Sequence, residues 1–319
     1  MNRKTAFALL LAVCLLWQAG CTTRRDLHGS GTVPASSGEP AASAASEGPS
    51  EPEPPSEEPS SQEEAPSEPE SRPALSMTAN VPALAAVTNE LVTWGPGLQQ
   101  DPETGRSVAC EGLQKQYGET YGAYFIGPAD SSTVTITFDQ GYENGYTAQI
   151  LDTLKEKNVK AVFFLTGHYV RTEKELVQRM IDEGHILGNH SDRHKVYCSD
   201  LTVEESIEDA MTMQNILRDE FGYEMRLFRF PEGAFSEQSL QLIQELGYRS
   251  VFWSFAYADW DPNNQPEPAA ALERITKYLH PGEIMLLHSV SSTNASILGE
   301  VIDAARAKGY EVGPFVGLA

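Results

Sequence analysis

Five polar side chains between residues 139 and 288 each stand beside or just after a short apolar run. They are Asp139 after VTITF, His190 after HILGN, Arg229 within RLFRF, Asp259 after SVFWSFAYA and His288 after EIMLL. Carboxylates and imidazoles move protons, and imidazoles also bind metal ions, so these residue types suit acid–base or metal-assisted chemistry. Any one of them alone has a structural explanation, such as a loop cap or a surface ion pair. Their recurrence with five runs favours one shared site.

His190 and His194 are four residues apart in HSDRH, and the Gly-Asn pair before them indicates a loop that leads into a helix. Two imidazoles with one further oxygen donor and one open position form a catalytic zinc arrangement. The same spacing also occurs in many proteins that bind no metal. The pair is therefore a candidate site for a divalent metal, with zinc as the first choice.

Segments of helical character, such as AQILDTLKEKN, TEKELVQRMIDE and SLQLIQEL, separate the apolar runs. Continuous apolar strands that alternate with helices predict a parallel sheet covered on both faces. Six or seven such units favour an α/β fold, a distorted and incomplete (β/α) barrel of about seven parallel strands, over an open doubly wound sheet. In such a barrel the carboxyl ends of the strands carry the active site. The five polar side chains are expected to meet there.

Signals at the ends of the helical segments agree with this pattern. Thr172 with Glu175, and Thr202 with Glu205, have the spacing of a capping box. Glycines that follow helical runs suit the left-handed position after a helix end. These are Gly184, Gly222, Gly247 and Gly309.

Residues 1–21 have a basic start, MNRK, followed by a long apolar run, which is the pattern of an export signal. Ala19 and Gly20 place small residues before Cys21, as at a bacterial lipoprotein cleavage site. We expect a lipidated Cys21, with ordinary cleavage or an uncleaved anchor as alternatives. The folded part is then extracytoplasmic and attached to the membrane through a lipid or signal anchor.

Residues 22–79 are rich in Ser, Pro, Glu and Ala and have very few aliphatic or aromatic residues. Such a segment buries too little apolar surface to order, so it is expected to be a disordered tether. Its acidic residues contribute much of the net charge of −22. This charge argues against a nucleic-acid partner, because phosphate contacts need basic patches.

Two regions follow the tether. Residues 80–133 contain turn signals such as WGPG and DPETG and are expected to form a loop-rich lead-in packed on the domain, while residues 134–319 are expected to form the catalytic domain. Cys110 and Cys198 are far apart in the sequence, and we favour two solitary buried thiols over a disulfide.

The motifs TFDQG, HSDRH, RFPEG, Asp259-Trp260 and LLH resemble, in this order, the five motifs of the polysaccharide deacetylases of carbohydrate esterase family 4, the NodB-like group. The resemblance covers about residues 134–315. FDQGYENGYT, FFLTGHYV and HPGEIMLLHSVS are similar to its delta-lactam branch, the muramic-acid de-N-acetylases associated with the endospore cortex. The resemblance implies a distorted barrel, metal-assisted amide hydrolysis and release of acetate from an N-acetyl sugar.

The resemblance also implies a role for each residue of the motifs. Asp139 is expected to be the general base for the attacking water, and His288 the acid that protonates the departing amine. Arg229 is expected to keep Asp139 ionised, since a nearby cation lowers a carboxylate pKa. Asp259 is expected to orient His288 or to share Arg229. A further set is assigned to the substrate and the oxyanion, namely Trp260 as a wall of the acetyl pocket, a backbone N–H near Glu232, Tyr142 and Arg193.

Two positions depart from the family pattern. Gln140 replaces the aspartate that ligates the metal in the general family, although the delta-lactam branch also has an amide there. Its side-chain oxygen is a candidate ligand, with a water in that place as the alternative, and in either case the loss of a negative charge predicts weaker metal retention. Glu232 in RFPEG replaces an arginine of that branch that could meet the lactyl carboxylate of muramic acid, and Arg193 is the candidate to compensate.

The sequence leaves three functions open. The first is removal of the acetyl group from N-acetylmuramic acid in peptidoglycan, leading to muramic delta-lactam in the spore cortex. The second is deacetylation of N-acetylglucosamine in peptidoglycan or chitooligosaccharides. The third is a lipoprotein that binds the cell wall without catalysis. The complete set of base, acid, arginine and two histidines favours an enzyme.

Overall fold

The protein is described by a computed structural model that covers Leu75 and residues 78–318. The export signal, Cys21 and most of the tether lie outside the described residues, so the expectations for them stay predictions. Among the helices of the described part, none is long and apolar enough to cross a membrane.

The sheet that forms the centre of the domain is parallel. Side by side it contains β7, β5, β4, β3, β2 and β8, and β9 pairs in parallel with the first residues of β2. β1 and β6 form a separate antiparallel pair. In chain order the strands are β1 (Val92–Thr93), β2 (Thr133–Gln140), β3 (Val162–Leu165), β4 (Ile186–Asn189), β5 (Leu227–Phe228), β6 (Ala234–Phe235), β7 (Arg249–Ser250), β8 (Glu283–His288) and β9 (Glu311–Val312).

Helices connect successive strands, as parallel pairing requires. Short helices also occupy the lead-in before β2. In chain order the helices are α1 (Val81–Leu84), α2 (Val108–Leu113), α3 (Glu119–Tyr121), α4 (Thr147–Glu156), α5 (Gly167–Thr172), α6 (Lys174–Asp182), α7 (Val203–Phe221), α8 (Glu237–Glu245), α9 (Pro268–Tyr278) and α10 (Ser292–Ala307).

Strand β2 lies between β3 and β8, and all of its residues after Thr133 are buried. Its buried threonines bond within the protein. Thr135 Oγ1 donates to the Gly313 carbonyl oxygen at 2.9 Å, and Thr137 Oγ1 donates to that of Met285 at 2.8 Å. These bonds satisfy the hydroxyls of two threonines on a strand that is covered on both faces.

The two edges of the sheet curl toward each other. The segment after β7 reaches β8, where Phe255 forms a parallel bridge with Met285. The backbone N–H of Leu286 donates to the Phe255 carbonyl oxygen at 2.9 Å. The predicted distorted, incomplete barrel is therefore confirmed, and its main sheet has seven strands.

Most of the predicted helix ends are confirmed. Thr202 and Glu205 form a capping box at the start of α7, and the four predicted glycines have left-handed backbones. The capping box predicted for Thr172 is wrong. Thr172 is the last residue of α5, where its hydroxyl donates to the His168 carbonyl oxygen at 3.1 Å, and Glu173 occupies the position before α6.

The lead-in is more helical than predicted, since it contains α1 to α3 and a π-helical turn at Gln114–Gly118. Buried Arg106 ties it to the barrel by donating to the carbonyl oxygen of Pro281 at 2.7 Å, and it also donates to that of Gly127 within the lead-in at 2.8 Å. Cys110 and Cys198 are free and buried, as favoured from the sequence. The limits assigned to the domains stay predictions.

Candidate active site

The end of β2 carries the carboxylate of the site. Asp139 is buried, and its Oδ1 accepts a hydrogen bond from Arg229 Nη1 at 2.8 Å. Its Oδ2 lies 3.5 Å from His190 Nε2. The strand register pairs Asp139 with His288 on β8, so both side chains leave the same face of strands roughly 4.8 Å apart. Four segments of the barrel thus contribute to one site.

Arg229 is a fully buried cation whose three nitrogens all have acceptors. Nη1 donates to Thr137 Oγ1 at 2.7 Å as well as to Asp139, while Nε and Nη2 donate to the carbonyl oxygens of Val251 at 2.9 Å and Phe252 at 3.0 Å. Its Cζ lies 4.1 Å from the centre of the Phe164 ring. These contacts fix the guanidinium, and through it the carboxylate of Asp139.

The sequence did not identify two of these partners. Thr137 stands two residues before Asp139 on the same strand, so strand alternation places both on one face and could have found it. Phe164 is in register with Asp139 on the neighbouring strand β3. No pattern within the sequence reveals that pairing.

The charge on Asp139 results from opposing influences. Burial is the largest and raises its pKa, but the charge of Arg229, followed by His190 and His288, brings the pKa of Asp139 below its ordinary value. Burial lowers the pKa of Arg229, which still remains protonated because its ordinary pKa is so high. Near neutral pH Asp139 is therefore an ionised carboxylate, the state that a general base needs.

His288 ends β8 and is held by Asp259, which belongs to the segment after β7. His288 Nδ1 donates to Asp259 Oδ1 at 2.7 Å, and the His288 backbone N–H donates to Oδ2 at 2.8 Å. Burial lowers the pKa of His288, but Asp259 and then Asp139 outweigh it and raise this pKa above its ordinary value. Of the two roles expected for Asp259, its contacts are those of a residue that orients His288.

The candidate metal ligands lie on a loop, and the expected helix start is wrong at this position. Ser191 and His194 have left-handed backbones, with φ of +71° and +52°, and α7 begins only at Val203. Left-handed residues cannot belong to a right-handed helix. The loop nevertheless brings the rings of His190 and His194 to 5.0 Å between centroids.

His190 has the proton arrangement of a metal ligand. Its Nδ1 lies 2.8 Å from the Arg229 carbonyl oxygen, which can only accept, so Nδ1 carries the proton and Nε2 has a free lone pair. Burial lowers the pKa of His190 to about 4, so the ring is neutral near pH 7. The donor set of His190 and His194 therefore fits a divalent cation. Within the described residues, however, no three His, Cys, Asp or Glu side chains are grouped to hold one.

Gln140, the third candidate ligand, is buried beside Asp139. Its Nε2 donates to Ser289 Oγ at 2.6 Å, while its Oε1 is buried and has no hydrogen-bond partner in the described part of the chain. The register pairs Gln140 with Leu165 and Leu165 with Asn189, which is the face opposite to Asp139. The oxygen is available, but the strand turns it away from the His190 side.

The residues assigned to substrate are more scattered. Trp260, next to Asp259, is 59% exposed and Tyr142 is 43% exposed, so both aromatic rings face solvent. Arg193 is anchored on α7, where its Nε donates to Asp209 Oδ2 at 3.0 Å. Glu232 is exposed and has a left-handed φ of +59°. For a residue other than glycine this backbone is unusual, and such residues often lie at functional sites.

The loop with Glu232 packs against Trp253, which in turn packs on Arg229. A Cβ on the next residue, Gly233, would lie 2.7 Å from Trp253 Cη2, so only glycine fits there. Trp253 in turn packs 5.6 Å from Arg229 Cζ, measured to the ring centre. The backbone near Glu232 is therefore positioned by the same core that holds Arg229.

An open groove of about 490 Å³ lies beside His194. Tyr142, Thr166, His168, Arg193 and His194 are among the residues that line it. Aromatic and polar side chains around a concave surface suit a ligand that is polar yet has apolar faces.

Comparisons with known proteins agree on one family. A family model described as Polysaccharide deacetylase matches residues 126–251. The peptidoglycan-N-acetylmuramic acid deacetylase PdaA of Bacillus subtilis is 39% identical over 232 residues, which are 70% of this chain and 84% of that protein. The solved structure of that PdaA, a family 4 carbohydrate esterase, matches with a TM-score of 0.66 and 37% identity over 71% of this chain and 96% of the other. A peptidoglycan-N-acetylglucosamine deacetylase of Bacillus cereus is 33% identical over 214 residues, 64% of this chain and 76% of the relative.

Proposed function

The chain belongs to the polysaccharide deacetylase family, whose members hydrolyse N-acetyl amides, and we propose that it deacetylates N-acetylmuramic acid in peptidoglycan. The observation that carries the reaction is the meeting of an ionised Asp139, held by Arg229, with His288 on the adjacent strand. The relative PdaA supports the choice of sugar. The freed amine lies next to the lactyl carboxyl group of the same sugar, and their condensation with loss of water would give muramic delta-lactam, as in the spore cortex.

In this proposal Asp139 removes a proton from the water that attacks the acetyl carbonyl carbon. His288 carries its proton on Nδ1 toward Asp259, so Nε2 is the atom that delivers a second proton to the amide nitrogen. An amine leaves far more readily than an amide anion, and the raised pKa of His288 keeps this acid protonated closer to neutral pH. A backbone N–H near Glu232 is assigned to the oxyanion.

Deacetylases of this family are generally metalloenzymes. We assign His190 and His194 as the ligands here, with zinc as the expected metal. A bound divalent cation would supply Lewis-acid polarisation of the acetyl carbonyl. With Gln140 turned to Ser289 and carrying no charge, the site is expected to retain a cation weakly. Chelation should therefore remove it easily.

The second candidate is deacetylation of N-acetylglucosamine, which the Bacillus cereus relative favours. The two sugars differ in the lactyl group, whose carboxylate needs a cation or a hydrogen-bond donor. Arg193 lines the groove and is anchored by Asp209, so it is the proposed partner of that carboxylate. Peptidoglycan glycan strands without stem peptides expose the carboxylate, whereas chitooligosaccharides lack it.

We also place the protein outside the cytoplasm, anchored to the membrane through Cys21 and facing the cell wall. This proposal rests on the export-signal pattern of residues 1–21 and on the wall substrates in the names of the relatives. Metabolic labelling of Cys21 with a fatty acid in producing cells tests the anchor. An unlabelled, freely released protein would exclude it.

The deciding experiment measures acetate release and sugar mass after incubation with three substrates. These are glycan strands stripped of stem peptides, intact peptidoglycan and chitooligosaccharides, each with and without a chelator. The proposal expects acetate from the stripped strands, loss of an acetyl group from muramic acid alone, and loss of activity on chelation. Asp139→Asn serves as the inactive control. Deacetylation of glucosamine alone would establish the second candidate, and no deacetylation of any substrate would favour a wall-binding protein.

A further inference from the structure

Asn294 lies in the first turn of α10 and contacts the pair that carries the proposed acid. Its Nδ2 donates to Asp259 Oδ2 at 2.6 Å and to the His288 carbonyl oxygen at 3.0 Å. Asn294 is almost completely buried. The side chain therefore bridges both members of the pair from a helix that contributes no motif of the family pattern.

The hydrogen-bonding partners of this amide fix its orientation. A carboxylate and a carbonyl oxygen both accept hydrogen bonds, so the NH₂ group must face Asp259 and His288. On the other side, Asn294 Oδ1 accepts from the Tyr257 hydroxyl. An amide has one end of each kind, and no other side chain of this size offers two N–H donors and an acceptor.

Helix α10 presents Asn294 in a defined position. Ser291 caps the helix by accepting from the Asn294 backbone N–H at 3.0 Å. At this position a capping-box residue would turn its side chain back to the cap. Here the side chain instead crosses to Asp259, which leaves the capping to Ser291 alone.

Asp259 is buried, and three donors surround its carboxylate. Oδ1 accepts a hydrogen bond from His288 Nδ1, while Oδ2 accepts hydrogen bonds from the His288 backbone N–H and the Asn294 amide. The Asn294 bond is the one that does not come from His288. Without it, the two bonds from His288 would remain, and the Asn294 amide would no longer help to fix the orientation of the carboxylate that directs the imidazole.

We infer that Asn294 is a positioning residue for the proposed acid His288. Asn294 holds Asp259 so that His288 presents Nε2 to the substrate. This inference rests on the role proposed for His288. Tyr257 supports it by fixing the amide of Asn294. A displacement of a reacting group by about 1 Å lowers a rate by roughly a hundredfold, so the effect belongs in kcat rather than in KM.

The test compares Asn294→Ala, the isosteric Asn294→Asp and Tyr257→Phe in the full protein. With glycan strands stripped of stem peptides, we expect Asn294→Ala to lower kcat by about tenfold to a hundredfold with KM within about twofold, and Tyr257→Phe to have a smaller effect. Asn294→Asp adds a negative charge beside Asp259 and should move the basic limb of the pH profile to higher pH. Asp139 and Arg229, the other charges that act on His288, are unchanged in all three variants.

Nitrogen-15 NMR of the histidines in the ligand-free protein supplies a readout that simple destabilisation would not change. In the wild type the His288 Nδ1 proton should appear at the low field of a strong hydrogen bond, and Asn294→Ala should shift it. Thr293→Val is the matched control, because Thr293 is a buried neighbour in the same helical turn and bonds to the Pro266 carbonyl oxygen instead. It should leave kcat and the His288 signal unchanged.

An unchanged His288 signal in folded Asn294→Ala overturns the inference, whatever happens to kcat, and so does an unchanged kcat. If Asn294→Ala does not fold, Asn294→Asp and Tyr257→Phe decide by the same two measurements. A wild-type protein that releases no acetate from any substrate refutes the proposed function instead. The NMR result can still be read in that case, so the two failures are distinguishable.

Discussion

Strand β8 has a histidine paired with an acid at each of its ends. At the carboxyl end, His288 Nδ1 donates to Asp259 at 2.7 Å. At the amino end, His280 Nδ1 lies 3.3 Å from Glu283 Oε2 but only 2.8 Å from the Tyr278 carbonyl oxygen. In the first pair the acid is the hydrogen-bond partner of the ring, and in the second a carbonyl oxygen takes its place.

Solvent access also separates the two pairs. The side chain of His288 is 24% exposed, whereas that of His280 is 2% exposed and that of Glu283 is fully buried. The second ring nitrogen of His280 is bound too, since Nε2 lies 2.8 Å from Ser254 Oγ. A substrate can therefore reach His288, while His280 has both nitrogens engaged inside the protein.

Opposite pKa shifts follow from these surroundings. Burial lowers the pKa of His280 to about 4, while Asp259 raises that of His288 despite burial. Burial also raises the pKa of Glu283 well above its ordinary value. The two ends thus hold similar residues in which the histidine pKa shifts in opposite directions. In barrels of this kind the carboxyl end serves function and the amino end serves stability.

The largest expected effect is a loss of deacetylase activity at the carboxyl end of β8. His288→Ala should lower kcat for acetate release by about 10²- to 10⁴-fold, because it removes the proposed general acid. Rates are measured per folded molecule, with circular dichroism to establish the folded fraction. A variant that keeps more than a tenth of the wild-type kcat would remove His288 from the mechanism and with it the contrast between the two ends.

The matched change at the other end should act on stability. His280→Ala removes the ring nitrogen bonded to the buried Ser254 hydroxyl, which keeps only the hydrogen bond that it accepts from the Ile284 backbone N–H, and this loss costs about 1–3 kcal/mol of unfolding free energy. Its kcat per folded molecule should stay within about twofold of the wild type. Urea unfolding and acetate release measure the two quantities. A large loss of kcat without loss of stability would mean that the amino end takes part in catalysis.

The pH profile of activity tests the pair of His288 and Asp259 directly. His288 must be protonated to act as an acid, and its raised pKa means that activity persists above the ordinary histidine range and falls as pH rises through that raised pKa. Asp259→Asn removes the charge that raises the pKa, so the basic limb should move to lower pH. An unmoved limb would show that another group sets it.

The smallest expected effect concerns Glu283, the acid paired with His280 at the amino end of β8. The raised pKa of Glu283 means that the folded protein keeps a proton that the unfolded chain releases, so wild-type stability falls as pH rises above the ordinary glutamate range toward the raised pKa. Glu283→Gln cannot lose this proton. It should be more stable than the wild type by about 1 kcal/mol at neutral pH and close to it near pH 4. Thermal unfolding at both pH values decides, and a variant less stable at neutral pH would contradict the raised pKa of Glu283.

The alternation of apolar runs and helices was sufficient to predict the barrel, because a strand buried on both faces needs a continuous apolar sequence. The family was also predicted correctly, since its motifs hold chemically specific residues in a fixed order. The Thr172 capping box failed because a capping box spans four residues and takes no account of α5, which ends at that threonine. The helix start expected at HSDRH failed because the backbones of Ser191 and His194 are left-handed, which the spacing of two histidines does not reveal.

By itself, the sequence determined which side chains stand at the carboxyl ends of the strands, because strand ends and residue order are local properties. Only the tertiary structure decided which histidine is paired with which acid. His288 is bonded to Asp259, which comes from the segment after β7, and Asp259 is bonded to Asn294, which comes from the helix after β8. The tertiary structure also decided that Gln140 donates to Ser289, because the two residues are far apart in the chain and meet only where β2 lies beside β8. The charge of each group depends on burial and on neighbours in space, and no spacing within the chain contains that information.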